Sequence, residues 1–472
     1  MIYLLIVQRC VAVEFVFSFL IHYYIRYIWH FVNSLLLLYQ IYVSFVKIIV
    51  FILLFLQSCV YVNAQDFDAW FLDKTLRLDY TFSGDNRNQF IFLDEMSWSD
   101  SWYGRRVNLD SLLLLGNGQL CMKDSKSGRV LYRYSFSTLF QEWQTTEEAS
   151  KVQKSFENVF LVPFPKNPVD ITITLTDTHN EIKGRITHHV EPNDILIRPI
   201  CADSNIKWKY LEQSGDSKDK IDVAFVAEGY LIDEMGVFLQ DCKASIDALK
   251  AHEPFKSMSD RFNFIAVMTP SLQQGVSIPH DNMWKKTALC SNFDTFYSNR
   301  YLTTLHLKKL HDALSGLPYE QIIILANTDN YGGGGIYNSY LMSAAHNEKN
   351  LPVVVHEFGH SFAGLADEYF YDDSYDIMYP SDTEPWEPNI TTLVDFKSKW
   401  ADMLGNKVKI PTEPTGKDVY TQVGVYEGAG YQSKGVYRPV QECRMKINEA
   451  PVFCPVCERA IRRMIDYLTI QK

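Results

Sequence analysis

The stretch from residue 67 to about residue 199 alternates apolar and polar positions in short runs. LRLDYTFSG, VDITITLTD and EIKGRITHHV are rich in aromatic and β-branched residues and are separated by Gly, Asn and Asp. A period of two residues indicates strands with one buried face. Many short strands without intervening helices are typical of a β-sandwich. We therefore predict a β-rich N-terminal accessory domain over residues 65–200, built as a sandwich.

Beyond residue 201 the pattern changes to strands that alternate with helices. KIDVAFVAEGY, RFNFIAVMTP and QIIILANT have the character of buried strands, whereas DEMGVFLQDCKASIDALKAH has the apolar spacing of a helix. Such alternation predicts a mixed sheet packed against helices. We expect an α/β domain over residues 201–472, so that the chain as a whole belongs to the α+β class.

The first 64 residues are crowded with Ile, Leu, Val, Phe and Tyr and contain almost no acids. Lys47 precedes an unbroken apolar run over residues 48–56, and small or modest residues follow at 62–64, where a secretory cleavage site requires them. We interpret residues 47–64 as the core of an export signal. Residues 1–46 form an upstream apolar extension that a signal does not need, and a misplaced start is one explanation for it.

Two other interpretations of this region remain open. The sequence LQSC offers Cys59 as the lipid-bearing residue of a lipoprotein signal, although Gln57 fits such a motif badly. Residues 11–55 are also long enough to span a bilayer as an anchor. Each alternative places the protein outside the cytoplasm, in the periplasm, at the cell surface or in the medium.

Composition narrows the class of protein. The chain has 472 residues, of which 47% are hydrophobic, which is enough for two or three domains with their own cores. A formal net charge of -11 argues against a nucleic-acid partner, which requires a basic face. Of nine cysteines, the seven outside the first 64 residues are too sparse for a disulfide scaffold. We expect a monomer with no nucleic-acid partner, and contact with a membrane only through an N-terminal anchor or lipid.

The segment VVVHEFGHSFAGLADEY, residues 353–369, contains the candidate metal-binding and catalytic residues. Residues four apart on a helix project from one face, so His356 and His360 can bind one ion. Glu357 lies one step round the helix, where its carboxylate can reach a water on the metal without being a ligand. A catalytic zinc has three protein ligands and an open position, and it lowers the pKa of bound water to about 7.

The third ligand must come from beyond the helix. If the helix continued, Asp367 would lie roughly 16 Å from His356, because a helix rises about 1.5 Å per residue. The helix must therefore end, and Gly364 can adopt the positive φ that turns the chain back. We expect Asp367 as the third ligand, with Glu368 as the alternative.

Four segments in order carry a resemblance to a known family: HEFGHSFAGLADEY, EPWEPNIT, YEGAGYQSKGVYRP, and CRM followed by FCPVC. Together they resemble the bacterial IgA-peptidase family of zinc metallopeptidases, within or near the metzincins, from about residue 67 to the C-terminus. The resemblance implies a β-rich domain followed by a metzincin-like catalytic domain with one Zn²⁺ ion. The usual metzincin positions of the glycine and the third ligand hold Ala363 and Ala366, so here both are displaced by one.

The resemblance also implies a Met-turn beneath the metal. Met445 precedes an amphipathic segment that ends the chain as a helix, whereas Met378 leads into a Pro-rich stretch that cannot be helical. We expect Met445, with Met378 as the alternative. The glycine run before the helix then corresponds to the edge strand that pairs with substrate, at Gly334, Gly335 and Ile336. A flexible linker is the alternative for that run.

Two further assignments concern tyrosines and cysteines. Oxyanion stabilisation needs a donor besides the metal, and Tyr437 is the expected donor among three tyrosines that include Tyr426 and Tyr431. Three cysteines lie near the C-terminus, at positions 443, 454 and 457. We expect a disulfide from the first to one of the other two, because a second zinc site would lack a fourth partner.

These residues predict an exported zinc endopeptidase that hydrolyses protein or peptide substrates. Zn²⁺ is held by His356, His360 and Asp367, and Glu357 takes a proton from the attacking water and returns it to the leaving amine. Two alternatives remain. One is a binding module for host protein or glycan on a degenerate peptidase fold, and the other is a zinc amidase acting on cell-wall peptides.

Overall fold

A computed structural model of the chain describes residues 21–29, 31–39, 42–43, 45–47, 67–371, 378–405 and 408–469. The chain forms two compact units, Met1–Ala64 and Gln65–Lys472. In the first unit the described residues are helical. Within the described part of the chain, no helix is long and apolar enough to cross a membrane. Residues 48–64 of the predicted export signal, including Cys59, lie outside the described residues, as do residues 11–20, 30, 40–41, 44 and 48–55 of the alternative anchor.

Two four-stranded sheets occupy the N-terminal part of the second unit, in the orders β5-β1-β2-β8 and β4-β3-β6-β7. Their pairings are antiparallel apart from the parallel pair of β2 and β8. The elements are α1 (Phe67–Trp70), β1 (Phe71–Gly84), β2 (Gln89–Asp100), β3 (Gly118–Asp124), β4 (Val130–Phe136), α2 (Leu139–Trp143), β5 (Lys154–Pro165), β6 (Val169–Thr176), β7 (Ile182–Val190) and β8 (Arg198–Pro199).

The inner faces of these two sheets share one aromatic core. In β6 every second residue is buried, as the sequence alternation predicts. Phe136 of one sheet lies 4.4 Å from Phe160 of the other, measured between ring centroids, and 6.2 Å from Phe82. Such ring pairs contribute beyond their buried area and fix how the two sheets face each other.

A six-stranded mixed sheet follows, in the order β13-β14-β12-β10-β11-β9. Its inner strands pair in parallel, and the two edge strands, β9 and β13, run antiparallel to their neighbours. Every residue of β10 and β12 is buried, which is expected where helices or loops cover both faces of a parallel sheet. The strands are β9 (Lys207–Glu212), β10 (Ile221–Glu228), β11 (Phe262–Met268), β12 (Gln321–Ala326), β13 (Gly333–Ile336) and β14 (Tyr340–Ala344).

Four helices and a small sheet complete the unit, which confirms the predicted mixed α+β class. The helices are α3 (Met235–Lys250), α4 (Leu307–Ala313), α5 (Asn350–Ala363) and α6 (Pro455–Leu468). The three-stranded sheet has β15 (Phe370–Tyr371), β16 (Tyr426–Ala429) and β17 (Tyr431–Arg438). Single-turn 3-10 helices lie at Glu147–Ser150, Ile232–Glu234, Ser259–Arg261, Pro279–Asp281, Thr295–Tyr297, Phe396–Ser398 and Ala401–Met403.

Helix α5 is held in place by one apolar stripe. Val354, Phe358 and Phe362 are spaced four apart and are buried, and the last two rings stack with centroids 5.1 Å apart. Phe255 packs on Phe358 at 5.4 Å from beneath the helix. Because the apolar stripe faces the core, the intervening positions, including His356 and His360, turn to the other side.

Phe160→Ala should destabilise the second unit by about 3–5 kcal/mol, because it removes a buried ring that joins the two N-terminal sheets. Phe90→Ala is the matched control, since Phe90 is 49% exposed whereas Phe160 is 5% exposed. The control should change stability by no more than about 0.5 kcal/mol. Urea unfolding of both variants measures the difference. Equal midpoints for the two would contradict the assigned core.

Candidate metal centre

Three side chains converge on one face of helix α5. Nε2 of His356 lies 3.0 Å from Nε2 of His360 and 3.0 Å from Oδ1 of Asp367. The third side of the triangle, from Nε2 of His360 to Oδ1 of Asp367, is 3.3 Å. His356 and Asp367 are each 7% exposed, so the cluster is largely shielded from water. The structure thus brings together the three residues that the sequence predicts as ligands.

The chain reversal behind this arrangement occurs at Gly364. Its φ of 59° lies in the left-handed region, and its N–H donates to the carbonyl of His360 at 3.0 Å. Leu365 then donates its N–H to the carbonyl of Gly359 at 3.1 Å, which closes the helix end. Within three further residues Asp367 lies beside the two imidazoles. A glycine is required because other residues rarely adopt this conformation.

Main-chain carbonyls orient both imidazole rings. Nδ1 of His356 lies 2.9 Å from the carbonyl oxygen of Arg444, and Nδ1 of His360 lies 2.5 Å from that of Leu365. A carbonyl can only accept, so each Nδ1 carries a proton and donates it. Each ring therefore presents Nε2 to the cluster, which is how ligand histidines are usually fixed.

Asp367 and Glu368 point in opposite directions, as neighbours in an extended segment do. The Glu368 carboxylate is fully buried on the far side, where Oε1 accepts from Nδ2 of Asn389 at 3.0 Å. Asn389 also bonds both main-chain polar groups of Ala366, at 2.7 Å to N–H and 2.9 Å to the carbonyl. The geometry therefore favours Asp367 over Glu368 as the residue beside the histidines.

The charges in the cluster shift one another's pKa values. For Asp367, burial would raise the pKa, but the charge of His360 and hydrogen bonds from both histidines hold it well below its usual range. For His360, burial would lower the pKa, but the Asp367 carboxylate raises it to about 9. Burial raises the pKa of Glu357, and the two histidines oppose that shift.

These residues fit a zinc ion. In a tetrahedral site, Zn–N and Zn–O bonds of about 2.0–2.2 Å place the donor atoms roughly 3.3 Å apart. The three donor atoms here are separated by 3.0–3.3 Å. Two imidazoles and one carboxylate are also a donor set found in catalytic zinc sites.

The glycine run forms the edge strand β13 and lies directly against helix α5. A Cβ on Gly335 would lie 2.4 Å from the main-chain oxygen of Glu357 and 3.1 Å from its Oε2. A Cβ on Gly334 would lie 2.5 Å from the ring of Tyr301. Close approach of strand to helix, rather than linker flexibility, thus explains why side chains are absent here. Ile336, the last residue of β13, is buried.

The two candidate methionines differ in their surroundings. Met445 is fully buried, and its Sδ would lie 2.7 Å from a Cβ on Gly359, between the two histidines of helix α5. Its carbonyl accepts from the N–H of Glu368 at 2.8 Å. Met378 is half-buried and follows residues 372–377, which lie outside the described residues. The structure therefore puts Met445, rather than Met378, beneath the cluster.

Of the three candidate tyrosines, Tyr431 is the one at the cluster. Its hydroxyl donates to Oδ2 of Asp367. Tyr437 lies opposite Glu427 in the small sheet, and the charges that influence its pKa, after burial, are those of Glu427 and Lys434. The hydroxyl of Tyr426 donates to the carbonyl of Gln422 at 3.4 Å. These contacts do not support Tyr437 as the expected oxyanion donor. Strand β17 approaches the ligands at its first residue, Tyr431, whereas Tyr437 lies near its other end.

Two residues from the N-terminal part of the second unit contact segments beside the metal cluster. Glu142 of helix α2 accepts from the Tyr301 hydroxyl at 2.6 Å, and burial raises its pKa to about 7, with His360, Asp367 and Glu357 close enough to contribute. Tyr134 Oη donates to the carbonyl of Asn338 at 2.7 Å, in the turn between β13 and β14. Sequence analysis misses these residues, because no local motif signals a contact between parts of the chain so far apart.

The cysteines near the C-terminus do not form the predicted disulfide. Cys443, Cys454 and Cys457 are buried free thiols, and Sγ of Cys443 lies 3.8 Å from Sγ of Cys457. The expectation that they lack a fourth partner is also wrong, because Glu368 completes the cluster. Its carboxylate lies 3.2 Å from Sγ of Cys457. The alternation of Asp367 and Glu368 along an extended segment could have indicated this.

Two histidines on one helical turn, a neighbouring glutamate and a returning carboxylate are the arrangement of metal-dependent peptidases. The family model for IgA Peptidase M64 matches residues 210–423 and 415–465, and the model for the Peptidase M64 N-terminus matches residues 66–187. The chain belongs to the IgA peptidase M64 family, a family of metallopeptidases, which confirms the resemblance and makes it a hydrolase of protein or peptide substrates. A search of curated proteins finds no match.

Gly364→Ala should destabilise the protein and weaken metal binding, because it opposes the chain reversal in two ways. The alanine main chain would be strained at a positive φ, and its methyl group would lie 2.7 Å from the Trp386 ring and 2.9 Å from Leu114. Gly128→Ala is the control for strain alone, since φ is 70° there and no atom lies within 4 Å. We expect about 1 kcal/mol for Gly128→Ala and clearly more for Gly364→Ala.

Thermal unfolding and zinc titration of both variants provide the measurement. Equal stability losses, or unchanged zinc affinity in Gly364→Ala, would contradict the role given to this turn.

Proposed function

We propose that the protein is a zinc-dependent endopeptidase with a metzincin-like catalytic domain, in which His356, His360 and Asp367 hold the ion. The observation that carries this proposal is the triangle of donor atoms, 3.0–3.3 Å on a side, with Glu357 on the same helix. Membership of a metallopeptidase family supports it. Zinc held there would polarise the scissile carbonyl and lower the pKa of water.

Glu357 is the proposed general base. It is half-buried, and a Cβ on Gly335 would lie 3.1 Å from its Oε2, so the carboxylate lies at the boundary between helix α5 and edge strand β13. Burial raises its pKa, which brings a carboxylate closer to the value that proton transfer at neutral pH favours. Glu357 takes a proton from the attacking water and passes it to the leaving amine.

Tyr431 is proposed to position Asp367. Its hydroxyl donates to Oδ2, so Oδ1 is left facing the two histidines. The Tyr431 ring packs edge-on against Tyr369, with centroids 5.2 Å apart, which limits its movement. Met445 supports the helix from beneath, as the Met-turn of the resemblance would. A hydrogen bond of this kind to a ligand typically changes metal affinity or activity by 10–100-fold.

Extended substrate is proposed to bind along β13. This strand is an edge of the six-stranded sheet, and Gly334 and Gly335 leave its main chain uncovered by side chains of their own. A peptide can add to such an edge through main-chain hydrogen bonds. Tyr301 bridges the edge at Gly333 and its ring lies against Gly334, so pairing would begin at Gly335.

Export is proposed from the sequence of residues 47–64, whose apolar run and small cleavage residues have the pattern of a secretory signal. A periplasmic, surface or extracellular location would give the peptidase access to protein substrates outside the cell.

Glu357→Gln should reduce hydrolysis by at least about 100-fold while leaving fold and zinc content unchanged, because it removes the base but no ligand. Glu348→Gln is the matched control, since Glu348 is exposed and lies just before the same helix. Cleavage of a diverse peptide library, with products identified by mass spectrometry with and without chelator, measures activity. Cleavage by Glu357→Gln at the wild-type rate would refute the proposal.

Tyr431→Phe should lower zinc affinity and kcat/KM by about tenfold or more, because the ring stays packed while the hydrogen bond to Asp367 is lost. Tyr437→Phe removes a hydroxyl from the same strand but away from the ligands, so it should behave as wild type. Zinc competition with a chelating dye and kinetics on one cleaved peptide compare the two variants. A larger effect from Tyr437→Phe would reverse the assignment.

A further inference from the structure

A second group of side chains that could hold a metal ion lies on the side of Glu368. Four residues from three segments contribute one ligand atom each, and these atoms all lie within 4.8 Å of one another. All four side chains belong to residues with 0% exposure, so water does not reach them. The members of this thiol cluster are Glu368, Cys443, Cys454 and Cys457.

The spacing of the sulfur atoms fits an ion better than a disulfide. Sγ of Cys443 and Sγ of Cys457 are 3.8 Å apart. Two thiolates on a tetrahedral zinc with bonds of about 2.3 Å are separated by roughly 3.8 Å, whereas a disulfide bond is about 2.05 Å long. A disulfide between any two of these cysteines would engage only two of the four side chains. The third thiol and the Glu368 carboxylate would then lack the charged partner that a metal ion provides.

One carboxylate oxygen in the cluster is unpartnered. Oε2 of Glu368 is buried and has no hydrogen-bond partner among the described residues, although Asn389 bonds Oε1 at 3.0 Å. A buried carboxylate without full compensation is costly, and native proteins pair it with a cation or a metal. The positive charge of Arg438 acts on Glu368, but Nη1 of Arg438 donates to the carbonyls of Glu427 and Gly428, at 2.8 and 2.5 Å, and not to Oε2.

The local main chain favours negative charge on sulfur. Cys454 is the N-cap of helix α6, and its Sγ accepts from the N–H of Cys457 at 3.5 Å. Sγ of Cys443 accepts from the N–H of Cys454 at 3.3 Å. Main-chain N–H donors and the positive end of a helix stabilise thiolates, which are the form that binds metal.

We propose that Glu368, Cys443, Cys454 and Cys457 form a second zinc site, separate from the catalytic one and structural in character. Soft thiolate ligands select zinc over magnesium or calcium. Four protein ligands in a buried cluster leave no open position for substrate or water, as in structural rather than catalytic zinc sites. The proposal does not depend on peptidase activity.

The position of this site explains what it would stabilise. Glu368 is the residue after Asp367, and its N–H donates to Met445 at 2.8 Å. Cys443 precedes Arg444, whose carbonyl orients His356 at 2.9 Å. An ion at the thiol cluster would therefore join helix α6 to the two segments that fix the catalytic ligands.

Metal content of the purified chain, measured by mass spectrometry of the elements, tests the proposal. Wild type should hold two zinc ions per chain, a His356→Ala, His360→Ala double variant one, and Cys454→Ser one. Cys242→Ser is the matched control, because Cys242 is buried in helix α3 outside the cluster, and it should keep both ions. One ion in wild type that Cys454→Ser retains would overturn the proposal.

Cobalt substitution identifies the ligands directly. The His356→Ala, His360→Ala double variant loaded with Co²⁺ should retain thiolate-to-cobalt charge-transfer absorption in the near ultraviolet. Absence of that absorption in a folded double variant would overturn the proposal even if the catalytic site were correct. Loss of hydrolysis in the same variant concerns only the catalytic site, so the two hypotheses fail separately.

Wild-type protein provides a test that does not depend on folding of a cysteine variant. An organomercurial reagent added to it should release one zinc ion to a chelating dye, since it competes for thiolates but not for imidazoles. Alkylation in denaturant without reductant should modify all three cluster cysteines. Protection of two of them, restored by reductant, would establish a disulfide and overturn the proposal.

Discussion

The structure depends on one constraint: a carboxylate must return to the helix that carries both histidines. Gly364 meets it by a positive φ, after which Asp367 lies 3.0 Å from His356. The same reversal sends the next side chain, Glu368, to the opposite side of the segment. Two adjacent acids thus belong to two different clusters. A shift of this segment by one residue would turn each carboxylate to the side of the other cluster.

A second segment, residues 443–445, joins the same two clusters from the other direction. Cys443 contributes a thiol to one cluster, the carbonyl of Arg444 orients His356, and Met445 packs beneath Gly359. Strict spacing along a short segment therefore fixes the distance between the clusters. Small shifts in a ligand position are known to change affinity and rate strongly, so support of this kind matters for catalysis.

Local patterns allowed much of this arrangement to be predicted. The spacing of His356 and His360, and the need to end the helix, follow from helical geometry alone, and the alternation of residues 67–199 indicates sheets. Contacts between residues distant in sequence could not be predicted in this way. The choice of Tyr431 over Tyr437 depends on positive φ values at Gly430 and Tyr431, which bend the start of β17 towards Asp367 and leave no clear sequence signal. The contact between Glu142 and Tyr301 joins residues 159 positions apart, so no local pattern indicates it.

The turn between β13 and β14 is fastened to the N-terminal sheets through Tyr134 and Asn338. The edge strand that is proposed to bind substrate is therefore held in place by both halves of the second unit, and the β-rich half contributes to the site. Natural variation in bond preference would be expected to arise as readily from substitutions in that half as from those near the ligands. A chimera that exchanged only the catalytic half would inherit a mismatched groove.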